Sequence, residues 1–158
     1  MPKQTVCLWF DTQAEQAAEH YCSIFPNSTI TGVHRYGPDQ PGPEGEVMLV
    51  MWTLDGYEYT GVNGGPLFTF DEAISVQIDC ADQAEVDYYW QRLAEGGQES
   101  MCGWLKDKFG LSWQVIPSEM GVVLSDPDPG RRNAAMQAML QMRKIDIAAL
   151  KAAADAAG

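Results

Sequence analysis

One segment of this chain is written twice, about 68 residues apart, and this repeat constrains the fold more than any local pattern. Residues 11–25 (DTQAEQAAEHYCSIF) are echoed by residues 79–93 (DCADQAEVDYYWQRL), and each copy follows a stretch of alternating apolar residues. Two copies are too few for a solenoid, so the repeat predicts two similar modules packed into one domain. A cleft between paired modules is a common place for a small-molecule site.

The hydrophobic periodicity gives each module the same order of elements. In the first module a strand over 4–10 precedes a helix that ends near Phe25, and Thr12 with Glu15 fits a capping box at its start. Three further strands are predicted there, over 29–36, 47–54 and 57–63. The second module repeats the plan with a strand over 73–79, a helix from about Asp82, and two or three strands through about Pro117.

These elements set the predicted domain organisation. Residues 1–125 are expected to form a single domain made of two βαβββ modules, about 1–70 and 71–125. The proline-rich segment DPDPG opens a linker, and residues 126–158 supply that linker and an Ala/Met-rich helical tail over 131–155. Asp11 and Asp79, which end their strands at equivalent places, are expected to cap the two helices.

Charge and cysteine usage exclude several classes of partner. The net charge of −12 makes nucleic acid and anionic membrane surfaces poor partners, because both would be repelled. No apolar run reaches the ~18 residues of a spanning helix, and the first residues do not look like a signal peptide. The four cysteines show no metal-binding spacing, which is typical of free thiols in a reducing compartment, so a cytoplasmic protein is expected.

Several stretches resemble one known family. They are CLWFD (7–11), FPNS (25–28), LDGYEYTGVNGGP (54–66), EAIS (72–75), CGWLKDKFGLSWQVIP (102–117) and MQAMLQMRKIDIAAL (136–150). Together they are similar to the PhnB-like proteins, often labelled 3-demethylubiquinone 3-methyltransferase, of the vicinal-oxygen-chelate (glyoxalase/bleomycin-resistance) superfamily.

The resemblance implies an α+β fold in which paired βαβββ modules form a cup-shaped mixed sheet with flanking helices and a C-terminal helical tail. It also implies a homodimer. The superfamily includes isomerases, dioxygenases, thiol transferases and drug-binding proteins, so the fold alone does not choose a function. The methyltransferase label finds no support in the residues, because Gly64 and Gly65 lead to a proline rather than into the helix that a Rossmann cofactor site requires.

Metal-dependent members of the superfamily carry His or Glu on the first and last strand of each module. By the repeat, these positions fall near Thr5 and Ala73 on the first strands and near Thr60 and Gln114 on the last. None is a good ligand for a transition metal, which prefers imidazole or carboxylate. A shifted alignment would bring in Glu58, but one carboxylate does not make a site. The sequence therefore predicts no metal and no other cofactor.

Strand alternation indicates which side chains line the predicted pocket instead. If Val6, Leu8 and Phe10 face the helix, the intervening residues face inward, and the same logic applies to Ile74, Val76 and Ile78. The expected pocket-lining residues are Thr5, Cys7, Trp9, Thr60, Asn63, Ser75, Gln77, Trp104 and Gln114. The alternative is that they fill a closed barrel, although buried Gln and Ser need hydrogen-bond partners that a dry core rarely supplies.

Candidate catalytic groups are sparse. Cys102 could act as a nucleophile with Lys106 as a nearby cation, or Lys106 could hold an anionic substrate group. The alternative is a loop thiol beside a surface lysine. Three functions remain open: a metal-free protein that binds a small organic molecule, a metal-independent enzyme that uses Cys102 and Lys106, and a metal-dependent lyase or dioxygenase.

The tail is more apolar than a short terminal helix could leave uncovered in water. It carries Met136, Met139, Leu140 and Met142 in one stretch, continued by Ile145, Ile147 and Leu150. Packing on the parent domain and packing on a second subunit of a symmetric dimer are both consistent with this pattern.

Overall fold

The computed structural model describes residues 2–158, and the chain divides into two compact units. The first unit extends to Phe70 and the second runs from Asp71 to Gly158. Among these residues, no helix has the length and apolar character needed to cross a bilayer.

The first unit is a four-stranded mixed sheet with one helix. Its elements are β1 (Val6–Phe10), α1 (Ala14–Ile24), β2 (Thr29–Arg35), β3 (Val47–Leu54) and β4 (Tyr57–Asn63). The strand order is β1-β4-β3-β2, with β1 parallel to β4 and the other pairs antiparallel.

The second unit repeats this plan and adds three C-terminal helices. Its elements are β5 (Ser75–Cys80), α2 (Gln83–Ala94), β6 (Gln98–Glu99), β7 (Trp104–Lys106), β8 (Ser112–Pro117), α3 (Ser118–Leu124), α4 (Pro129–Met139) and α5 (Ile147–Ala156). The strand order β5-β8-β7-β6 again has a parallel pair, β5 with β8, at one edge. The predicted α+β fold with two βαβββ modules is therefore confirmed.

Helix α1 forms because small and aromatic residues recur at helical spacing. Ala14, Ala17, Tyr21 and Ile24 are each at most 2% exposed against the sheet. A side chain at Gly61 would meet the ring of Trp52 at 3.0 Å and the methyl group of Ala14 at 3.2 Å, so the glycine lets the helix approach the sheet closely.

The predicted capping box at the start of α1 is wrong. The N-cap is Gln13, without a side-chain cap, and Glu15 instead binds the Arg35 guanidinium at 2.8 and 3.0 Å. The side-chain oxygen of Asn63, from the end of β4, accepts the backbone N–H of Ala14 at 2.9 Å. A residue distant in sequence therefore satisfies one of the free N–H groups that the local motif was expected to serve.

Helix α2 is capped locally, although not by Asp79. The Asp82 carboxylate accepts the N–H of Glu85 at 2.9 Å, and the Glu85 carboxylate accepts the N–H of Ala81 at 2.7 Å. Asp79 instead accepts a hydrogen bond from the neighbouring Gln77 side chain at 2.7 Å.

The buried residues show that the repeat register differs from the one read in the sequence. Trp90, not Tyr89, occupies the place of Tyr21 in the buried helix stripe, and Leu93 corresponds to Ile24 rather than to Phe25. The first strands end on buried residues about 70 positions apart, Phe10 and Cys80. The second-module position that corresponds to Thr5 therefore moves from Ala73 to Ser75. Ile74 lies before β5 and is 54% exposed, so its expected packing against the helix side is wrong.

The tail is not one helix over 131–155. Helices α4 and α5 are separated by an irregular segment, residues 140–146, and α3 has no counterpart in the sequence expectation. Val123, Ala135 and Ala154, one from each helix, form a small buried cluster. The tail therefore packs within its own unit, while Met136 and Leu140 stay 41% and 45% exposed.

Candidate functional site

The second sheet has one apolar face and one polar face. Leu105, Trp113 and Val115 are at most 1% exposed on the face that packs against α2. Because successive side chains of a strand point to opposite faces, the pairing of β5, β7 and β8 places the intervening residues together on the other side. We call this the polar face; it consists of Ser75, Gln77, Trp104, Lys106, Ser112 and Gln114.

Two residues of the polar face are joined directly. The side-chain amide of Gln114 donates to the hydroxyl of Ser75 at 2.8 Å. Gln77 is the backbone neighbour of Gln114 in the β5–β8 pair and is exposed. Three of the predicted pocket residues therefore lie together and present neutral hydrogen-bonding groups.

A cavity of about 420 Å³ opens where the polar face meets the β6–β7 edge. It is lined by Glu72, Gln98, Ser100, Trp104, Lys106 and Ser112, with Glu99 and Leu105. This volume lies within the usual range for small-molecule sites, roughly 300–1,000 Å³. Of the residues singled out in the sequence, the cavity brings together Trp104 and Lys106.

Sequence reasoning missed Ser112, which lines the same cavity. The residue is 1% exposed, and its hydroxyl has no hydrogen-bond partner among residues 2–158. Buried polar groups are nearly always paired, so an unpaired hydroxyl beside a cavity needs an explanation. The only sequence signal was its position, two residues before Gln114 on the same strand and hence on the same face.

Lys106 forms an ion pair at the rim of this cavity. Its ammonium lies 2.7 Å from the Glu72 carboxylate, whose side chain is 65% exposed, whereas the lysine side chain is 29% exposed. Hydrogen bonding from Lys106 lowers the pKa of Glu72 below its ordinary value. Lys106 therefore already contacts a carboxylate, that of Glu72, whose side chain is mostly exposed to solvent.

The turn that connects Lys106 to Ser112 is built around a buried carboxylate. Asp107 is 2% exposed and accepts hydrogen bonds from the backbone N–H groups of Phe109 (2.8 Å) and Leu111 (3.1 Å) and from the indole of Trp113 (2.8 Å). These contacts fix the β7–β8 hairpin, in which Lys106 and Ser112 are directly paired. Asp107 thus positions both cavity residues.

Cys102 points elsewhere. It has φ = 59° and occupies a tight turn with Gly103 (φ = 82°), closed by the Trp104 N–H donating to the Met101 carbonyl at 3.1 Å. Its thiol lies 3.7 Å from the Met139 carbonyl, and its N–H donates to the Met142 carbonyl at 2.8 Å. These contacts tie Cys102 to the C-terminal segment. Cys102 is not among the residues that line the cavity containing Lys106.

The first sheet also separates the predicted residues by face. Cys7 and Thr60 are backbone partners on the face away from α1, where Trp9 also lies, and Thr5 precedes β1 and is exposed. The Trp9 indole donates to the Gly65 carbonyl at 2.9 Å and contacts the Phe68 ring edge-on at 5.0 Å.

Asn63 lies on the opposite face of this sheet from Trp9. It accepts the Ala14 N–H, as described above, and donates to the Val47 carbonyl at 3.1 Å. Its contacts therefore hold α1 and β3 and do not join the other predicted pocket residues.

The corrected repeat changes one of the four positions at which metal-dependent relatives carry their ligands. The first- and last-strand positions become Thr5, Thr60, Ser75 and Gln114, which offer hydroxyl and amide groups. Among residues 2–158, no group of three or more His, Cys, Asp or Glu side chains has an arrangement that could hold a metal ion.

Comparison with known proteins identifies the family. The model of the 3-demethylubiquinone-9 3-methyltransferase family matches residues 2–116. The solved structure of a PhnB protein from Bacillus cereus is 34% identical, with a TM-score of 0.68 over 74% of this chain and 100% of its own. No protein with a curated description matches.

Two further structures show the fold alone. Protein PA1353 from Pseudomonas aeruginosa is 20% identical, with a TM-score of 0.62 over 74% of this chain and 98% of its own. A candidate glyoxalase from Bacillus cereus is 17% identical, with a TM-score of 0.50 over 73% of this chain and 98% of its own. Because the family model covers most of the chain and the PhnB protein is 34% identical over its whole length, this chain belongs to the 3-demethylubiquinone-9 3-methyltransferase (PhnB-like) family.

Proposed function

We propose that this protein binds a small organic molecule on the polar face of the second sheet and needs no metal to do so. The observation that carries the proposal is the cavity of about 420 Å³, in which an aromatic wall, Trp104, lies beside groups that can donate hydrogen bonds, Lys106 and Ser112. Small-molecule sites usually combine such an apolar surface with a few polar groups that fix orientation.

The side chains on the polar face support metal-free binding. Ser75 and Gln114 already hydrogen bond to each other, and hydroxyl and amide oxygens are weak ligands for the transition metals that imidazole and carboxylate hold. We expect elemental analysis of the purified protein to find less than about 0.1 transition-metal ion per chain. One tightly bound zinc, nickel or iron per chain would contradict the metal-free proposal and would favour the hypothesis of a metal-dependent lyase or dioxygenase.

We do not propose for this chain the methyl-transfer activity in the family name, because its sheets do not form a Rossmann-type cofactor site. Each sheet is a mixed four-stranded sheet with one parallel pair at its edge, which differs from the doubly wound parallel sheet of a Rossmann-type cofactor site. Gly64 and Gly65 precede a turn rather than a helix, and Gly64 lies against the Trp9 ring, where a side chain would clash.

A screen for bound compounds tests the binding proposal. Amide and indole chemical shifts of the ¹⁵N-labelled protein would be recorded against a library of small organic molecules. We expect hits to shift Trp104 and its cavity neighbours, and to be lost in Trp104→Ala but retained in Tyr88→Ala, a matched loss of an exposed ring on α2 of the same unit. Circular dichroism would verify that both variants fold. Hits that map only to other surfaces, or no hits at all, would refute the site.

We also propose a homodimer, as the family resemblance implies, and a location in the cytoplasm, which the scattered cysteines favour. Exposed apolar side chains on the tail, Met136 and Leu140, are candidates for part of the interface. Light scattering should give twice the chain mass of 17.4 kDa. Monomer at high concentration would exclude the dimer, and an unchanged dimer in a Met136→Glu/Leu140→Glu variant would exclude this surface.

A further inference from the structure

The inference concerns the chemical class of the ligand, and it rests on the proposed function of the cavity. We propose that the cavity binds the carboxylate of a small planar organic acid between Lys106 and Ser112, with the rest of the molecule against Trp104. All three residues line the same cavity of about 420 Å³.

The hydroxyl of Ser112 lacks a hydrogen-bond acceptor among the described residues. Ser112 is 1% exposed, and burying a hydroxyl without a hydrogen bond is unfavourable. A ligand oxygen in the cavity would accept that hydrogen bond. Ser112 thus carries a donor whose partner is expected to come from outside the chain.

Lys106 lies next to Ser112 on the polar face. Lys106 and Ser112 are directly paired across β7 and β8, so their side chains are neighbours on the same face. A cation beside a hydroxyl donor matches an anionic oxygen pair better than a neutral group, because hydrogen bonds from a charged donor to an anion are the stronger kind.

Lys106 already binds a carboxylate of the chain itself. Glu72 reaches Lys106 at 2.7 Å from a largely exposed position before β5. This contact shows that the lysine accommodates a carboxylate at the cavity rim. Exposed ion pairs contribute little to stability, so a ligand carboxylate that also reaches Ser112 can displace Glu72 at small cost.

The remaining charged group of the cavity is already satisfied. One oxygen of Glu99 accepts the Trp90 indole N–H at 2.8 Å, and the other lies 3.9 Å from Arg143. Because the chain as a whole carries −12, the attraction for an anion must come from the short-range contacts with Lys106 and Ser112.

The test compares benzoate with its neutral analogue benzamide by titrating the ¹⁵N-labelled full-length protein and following the Trp104 indole signal. We expect benzoate to bind at least about tenfold more tightly than benzamide, since a charge-assisted hydrogen bond is worth a factor of that order. Lys106→Met should weaken benzoate by about tenfold or more, and Lys106→Arg should retain most of the affinity. Lys108→Met, on the same hairpin but exposed, is the matched control and should change nothing.

Two further variants separate a ligand role from a structural one. Ser112→Ala should weaken benzoate by roughly threefold to tenfold while leaving the melting temperature equal to or above that of the unchanged protein, because an unpaired buried hydroxyl is removed. Glu72→Gln should tighten benzoate binding, because a competing carboxylate is lost.

Each outcome has a defined meaning. The carboxylate inference is overturned if benzoate at roughly 50 mM, a concentration that would detect even very weak binding, does not shift the Trp104 indole signal. Equal affinities for benzoate and benzamide also overturn it. A lower melting temperature of Ser112→Ala also overturns it, because the hydroxyl would then have a structural partner. Neutral library compounds that bind at Trp104 while benzoate does not would leave the proposed function standing, whereas the absence of any ligand at Trp104 defeats both.

Discussion

Replacing Asp107 by alanine should destabilise the second unit strongly, because this carboxylate is buried and serves three N–H donors. Two of the donors, the Leu111 amide and the Trp113 indole, belong to residues that are each 1% exposed, so water cannot replace the lost partner. A buried donor left unpaired costs about 1–3 kcal/mol, so the two together cost roughly 2–6 kcal/mol. Since removing a buried charge also recovers some desolvation energy, we expect a net loss of about 2–4 kcal/mol in the free energy of unfolding.

Urea unfolding followed by far-UV circular dichroism measures this loss, with stability obtained by linear extrapolation. The matched control is Glu95→Ala, which removes an exposed carboxylate after α2 in the same unit and should change stability by less than about 0.5 kcal/mol. Asp107→Asn should be intermediate, because one oxygen still accepts the backbone N–H groups while the new NH₂ group faces the indole donor of Trp113.

A double-mutant cycle with Trp113→Phe isolates the indole contact. If the contact is as described, Asp107→Ala and Trp113→Phe should be coupled by about 1 kcal/mol or more. A loss below about 1 kcal/mol for Asp107→Ala, or strict additivity in the cycle, would refute the argument that this carboxylate holds the hairpin.

Two further predictions follow from the titration behaviour of single groups. Burial, with a smaller contribution from nearby carboxylates such as Glu85, raises the pKa of the Cys80 thiol to about 12. At pH 8 a thiol probe should therefore label the exposed Cys7 first and Cys80 last. Equal labelling rates by mass spectrometry would contradict this order. Hydrogen bonding from Lys144 lowers the pKa of Asp87. At any pH above the ordinary carboxylate pKa of ~4, this contact therefore stabilises the segment before α5, and the stabilisation is lost as pH falls through the lowered pKa. Hydrogen exchange in α5 should therefore be faster in Lys144→Met than in the unchanged protein at pH 7, and the difference should shrink as pH falls through the lowered pKa of Asp87. A difference that stays constant while Asp87 becomes protonated would disprove the link.

The strands of the first unit were predictable because their patterns are local. The predicted bounds 47–54 and 57–63 coincide with β3 and β4, because an apolar run between turn residues is too short for a typical helix and Asp55-Gly56 signals a hairpin. The candidate site was predictable only in part. Trp104 and Lys106 line the cavity, but the only sequence signal for Ser112 was its position on the same face as Gln114.

The register of the repeat was the main error, and its cause is physical. Sequence similarity aligned Tyr21 with Tyr89, whereas the structure aligns it with Trp90, because burial depends on the angle around the helix and not on the identity of the side chain. The error carried into the strands and placed the position equivalent to Thr5 on Ala73 instead of Ser75.

The sequence by itself determined that two βαβββ modules form, because alternation, helical spacing and turn residues act over a few positions. Only the tertiary structure decided that Asn63 caps α1. It also decided that Gln83 binds the backbone of Ile145 and Ile147, at 3.0 and 2.9 Å. The position of Ser112 beside Lys106, with no hydrogen-bond partner in residues 2–158, is likewise a tertiary result. These contacts join residues whose meeting depends on strand pairing and chain return. Hydrogen bonds are satisfied by whichever group the fold brings within reach, and no local pattern records that choice.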